Sequence, residues 1–152
     1  HVFEQEKRMS SVIALPQVVR FHIVSFLVRS LLLKTLQKDE QDLFLNIMEI
    51  SLKKVTRWAK HCPENFEHLR LLMEAELAKF SGSVLEALSF YEESINAARK
   101  NAFLRDEAMA NEMTAKYLMS LGLKKAAEGY LQDAHYLYCL LYTSDAADER
   151  SV

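Results

Sequence analysis

The chain has 152 residues, half of them apolar, with only three glycines and two prolines. It is long enough for one domain with a real core, and a sheet protein would lack turn residues, so the fold class is all-α. Lysine and arginine (19) nearly balance aspartate and glutamate (21), which excludes a global field that would recruit nucleic acid or an anionic membrane.

The chain opens on His1 and shows no signal peptide, so its start is expected to lie inside a longer protein. Residues 1–15 are weakly patterned and read as part of an upstream helix. Leu15-Pro16 reads as a break, since a proline is well placed at a helix start. From Gln17 to Leu36 apolar residues cover most of the helix circumference, among them Phe21, Ile23, Phe26, Val28, Leu32 and Leu33. Such a helix wants neighbours on several sides. Its length is near that of a membrane span, but Arg20, His22 and Arg29 oppose one, each arginine costing about 2.5 to 3.5 kcal/mol at mid-bilayer on insertion scales.

Lys38-Asp39-Glu40 is a polar turn whose acids suit a helix start. The next helix, about Glu40 to His61, carries Leu43, Phe44, Ile47, Ile50, Val55 and Trp58 at spacings of three and four, with basic residues toward its end. Cys62-Pro63-Glu64-Asn65 stops it, and Asn65 is expected to cap the following helix, whose stripe is Phe66, Leu69, Leu72, Met73, Leu77 and Phe80. After Gly82, Val84 to Lys100 presents Ala87, Leu88, Tyr91, Ile95 and Ala98. The next helix is Asp106 to Leu121, and the last native one, Lys124 to Tyr138, is expected to bury Ala127, Tyr130, Leu131, Ala134 and Leu137.

Two of these hairpins are the same pattern written twice. Moving forward 40 residues from Gly82 to Gly122 also lays Ala75 on Ala115, Ala87 on Ala127, Tyr91 on Leu131 and Ser94 on Ala134. Small residues let helices approach, large ones fill the groove, and each glycine supplies the positive φ that ends a helix. Repetition at such a period marks a stacked-hairpin scaffold.

This spacing resembles the tetratricopeptide repeat, departing from it in the longer period and the missing closing proline. The resemblance implies antiparallel stacked hairpins in a right-handed array. Trp58 to Phe66, Glu74 to Ala78, Ala87 to Tyr91 and Glu107 to Glu112 look like the helical region of very large bacterial signalling proteins. Those join a serine/threonine-kinase-like domain and a regulatory ATPase to a GAF sensor and a C-terminal histidine kinase. The likeness covers residues 16–138 and implies a cytoplasmic connector whose partners are flanking domains or protein and peptide segments. The alternative is a stand-alone adaptor, or the sensor array of a nucleotide-dependent transcription regulator, binding a peptide or small ligand. Cys139 to Glu149 resembles one reading frame of a transposon-end sequencing adapter, so residues 139–152 are expected to be non-native and receive no function.

No catalytic, cofactor or metal residue is assigned. His68, beside Glu67 and Arg70, has the acid on the wrong side for a phosphoacceptor and reads as solvent-facing or helix-pairing. His61 and Cys62 are adjacent, with no third ligand at usable spacing. Cys62 and Cys139 fit a reducing compartment. Glu74, Glu76, Glu92, Glu93, Glu107 and Glu112 read as solvated faces and intrahelical partners for Arg70, Lys79 and Lys116. The tyrosines 91, 117, 130, 136 and 138 read mostly as core with hydroxyls at the rim, some available to a peptide groove.

Overall fold

The computed structural model describes the backbone of residues 2–150 and the side chains of residues 17–145. Its elements are α1 (Val2–Leu32), α2 (Lys38–His61), α3 (Pro63–Ser81), α4 (Val84–Lys100), α5 (Leu104–Ser120) and α6 (Lys124–Arg150), with one 3-10 turn at Leu33–Thr35. The chain is an all-α array of stacked helices. Each helix packs on its neighbours in sequence, most extensively within the pairs α3/α4 and α5/α6, and α3 also touches α1 and α5.

Several boundaries differ from expectation. The break at Pro16 is absent, because α1 runs through it; a proline deletes one donor from the ladder while its own φ remains helical. At the other end α1 stops four residues short of Leu36 and tightens into the 3-10 turn, where the Thr35 hydroxyl donates to the Leu32 carbonyl at 2.7 Å. Helix α2 takes in Lys38-Asp39-Glu40, since the Gln37 N–H donates to the Glu40 carboxylate at 3.2 Å and closes the first turn. Asn65 does not cap α3. Pro63 occupies the first helical position, and its fixed φ begins the helix before Asn65 is reached. Helix α6 passes Tyr138 without a break.

The turns show how the repeat is made. At Gly82 (φ 85°), Ala102 (φ 59°) and Gly122 (φ 79°) the backbone enters the left-handed region. Each position closes the same pair of bonds. The N–H groups of residues 82 and 83 reach the carbonyls of 79 and 78, those of 102 and 103 reach 99 and 98, and those of 122 and 123 reach 119 and 118, at 2.9 to 3.3 Å. This double bond satisfies carbonyls that a helix end would otherwise orphan. The turn between the repeats, Asn101-Ala102-Phe103-Leu104 in the sequence, is therefore the same device with alanine in place of glycine.

Two interior clusters follow. In the first, Val19, Ile23 and Phe26 of α1 and Leu33 of the 3-10 turn meet Met48 and Val55 of α2 and Leu69 and Met73 of α3. In the second, Leu72, Ala75 and Ala78 of α3 meet Ala87, Tyr91 and Ile95 of α4 and Ala110 and Tyr117 of α5. Helix α1 is not covered all round as its composition suggested: Phe21 is 69% and Leu31 71% exposed. On α2 the expected Leu43 and Ile50 also face outward, and Met48, Ser51 and Ala59 join the expected Val55 on the buried face. No described helix is long and apolar enough to cross a membrane.

Candidate functional site

Of the repeat positions, Ala75, Ala87, Tyr91, Ser94, Ala115, Ala127 and Ala134 are buried, and Gly82 and Gly122 sit in the turns. The small residues on α3 and α4 face one another, which lets Tyr91 lie wholly inside the α3/α4 groove. Leu131, the counterpart of Tyr91, was expected in the core and is 39% exposed. Among the described residues α5 covers α4 beside Tyr91, whereas nothing covers α6 beside Leu131. The repeat thus places equivalent backbones but gives equivalent burial only where a further helix follows.

Acids read as solvated turn out to be structural. Glu76 has no exposed surface. Its carboxylate accepts from Lys79 Nζ at 2.5 Å, from the Tyr91 hydroxyl and from the Ser30 hydroxyl, so one residue of α3 ties down α1 and α4. A carboxylate costs several kcal/mol to bury unless donors surround it, and here three do. Burial, and then the neighbouring Glu76 charge, push the Tyr91 phenol above its ordinary range. Glu107, also buried, accepts from Arg99 Nε at 2.8 Å, joining the end of α4 to the start of α5. The pairs of Lys79 with Glu76, of Arg70 with Glu67 and Glu74, and of Lys116 with Glu112 form within their helices.

His68 is a helix-pairing residue, only 2% exposed. Its Nε2 lies 2.8 Å from Asp106 Oδ2 on α5, and its ring stacks on Phe103 at 4.5 Å between centroids. Its backbone carbonyl accepts from the Ser94 hydroxyl at 2.7 Å. One residue therefore locks α3 to α4 and to the turn that opens the next hairpin. Both Glu76 and His68 were legible in one respect, since each falls in helical register with the stripe containing Leu69, Leu72 and Ala75. A polar residue on the buried stripe is the signal that it must find partners there.

Among the tyrosines, 91 and 117 are core. Tyr130 donates to Glu92 across α4 and α6, and Tyr138 donates to Glu112 at 3.0 Å. Partial burial and these carboxylates hold both phenols up at about 12. Tyr136 is exposed. His61 and Cys62 mark the turn between α2 and α3, where partial desolvation raises the thiol. Among the described residues no three His, Cys, Asp or Glu side chains group as metal ligands.

A family profile described as CHK1-like, TPR repeats matches residues 9–130, which is most of the chain and runs from α1 into the first turns of α6. The chain belongs to the CHK1-like TPR family. The fold of such repeats is typically non-catalytic and commonly mediates protein interactions. No curated protein and no solved structure matches the chain significantly.

Proposed function

We propose that this CHK1-like TPR segment is a non-catalytic connector in a multidomain bacterial signal-transduction kinase, set in the cytoplasm between a regulatory ATPase and a sensor with its histidine kinase. The observation that carries the reading is the cross-helix wiring: Glu76, His68 and Glu107 tie α1, α3, α4 and α5 into one stack, which suits a segment that holds domain positions and passes force between them. The likeness of Trp58 to Phe66, Glu74 to Ala78, Ala87 to Tyr91 and Glu107 to Glu112 to such proteins supports the kinase context. Partners are then flanking domains or protein segments, and no residue of the chain is given catalytic, cofactor or metal work.

The second reading is a stand-alone adaptor or the sensor array of a nucleotide-dependent regulator, favoured by the exposed tyrosines on α6. Sequencing the source DNA through the codon for Tyr138 by a method free of transposon adapters tests both. A frame continuing into a sensor and a histidine kinase supports the connector. A frame that retains residues 139–152 and then stops supports the adaptor.

A further inference from the structure

The outward face of α1 is an apolar seam whose register can be read from the rest of the array. Laying Ser30 on Ala75 also lays Ile23 on His68, Phe26 on Leu71 and Leu33 on Ala78, and all eight residues are buried. In the same register Phe21, Val24, Val28 and Leu32 fall on Phe66, Leu69, Met73 and Leu77. On α3 those four pack in the cluster that α2 completes. On α5 the matching Met109, Met113 and Tyr117 pack in the cluster that contains Tyr91 and Ile95 of α4. On α1 they are open: Phe21 is 69%, Val24 52%, Val28 49% and Leu32 44% exposed. The seam is thus the face that receives a second-type helix elsewhere in the stack, and no described residue covers it on α1.

Charge narrows the occupant. Among the described residues Arg20, Arg29 and Phe44 line the same groove and no acid does. Among the described residues neither arginine forms an ion pair: Arg29 donates to Ser25 and stands over the Phe44 ring, and its buried Nε has no partner. Pairing α1 with α1 of a second copy would crowd four cations along an acid-free seam, which repulsion opposes. We propose that this face docks an amphipathic helix supplied from outside these 152 residues, apolar at every third or fourth position and acidic along its flank, seated as α2 is on α3. About three turns of contact at spacings of three and four residues is the geometry of helix-in-groove recognition.

The probe is a labelled peptide with the sequence of α4, residues 84–100, which carries Glu86, Glu92 and Glu93 beside its apolar stripe. Fluorescence anisotropy with the full chain is expected to show saturable binding. The exposed double change Val24→Asp with Val28→Asp, its fold checked by circular dichroism, is expected to weaken binding at least tenfold. Replacing the three peptide glutamates by lysine should weaken it several-fold at low salt, and Arg20→Glu in the chain should reverse that preference. Absence of saturable binding, or binding indifferent to the two aspartates, overturns the proposal. So does concentration-dependent self-association abolished by the same double change, which would make a second copy the occupant.

Discussion

At the scale of single residues, the interior of this array is held by a few polar groups that each serve more than one helix. Tyr91 and Glu76 are the sharpest case, a phenol with no exposed surface donating to a carboxylate with none. Tyr91→Phe keeps the packing and removes one of three donors, and it is expected to cost about 1.5 to 3 kcal/mol, the range for a hydrogen bond to a charged group. Glu76→Leu should cost more than Tyr91→Phe, because Lys79, Ser30 and Tyr91 all lose their acceptor. Urea melts of both variants and their combination would show it, and a Tyr91→Phe protein as stable as the parent would refute the bond's role. The rim tyrosines set a pH limit. Their folded values near 12 exceed the ordinary phenol value of 10.0, so the stability they give is complete below about pH 10 and is lost as the pH rises toward 12. Melts across that window should fall steadily, and Tyr130→Phe with Tyr138→Phe should flatten the fall.

Helix ends and helix contacts make the next scale. Nothing lies within 4 Å of a side-chain carbon built on Gly82 or Gly122, so their requirement is conformational rather than steric. Gly82→Ala is expected to cost about 1 kcal/mol for left-handed backbone alone. Ala102→Gly, at a φ of 59° in the same kind of turn, should cost nothing or stabilise slightly, since it relieves strain already present. Thermal melts of the pair give opposite signs if the three turns are equivalent. Ala87 and Ala127 are closed in at 0% and 1% exposure. Ala87→Leu or Ala127→Leu should therefore destabilise by about 1 to 3 kcal/mol through overpacking. If neither moved the melting point, the hairpin register would be wrong. The repeat was readable here because the same contact recurs at a 40-residue interval. Glu107 was misread because its partner Arg99 lies across a turn, beyond the three- and four-residue spacings at which intrahelical pairs are sought.

Across the whole molecule, protection should be graded rather than uniform. The helices α3, α4 and α5 are covered by neighbours on both sides, whereas the outer faces of α1 and α6 are open. Amide exchange is expected to be slowest in those three central helices and fastest in α6 beyond Leu137, the last buried residue described there. Equal protection along α6 would contradict the stack as described. By itself the sequence determined the helical class, the two repeated hairpins and the positions of their small residues, because these depend on local propensity and on spacings that recur within one chain. Only the tertiary structure decided that Glu76 and Glu107 are buried, that His68 pairs with Asp106, and that Leu131 and one face of α1 stay open. Each of those depends on which helix arrives from elsewhere in the chain, and a residue's own periodicity carries no record of its neighbour across space.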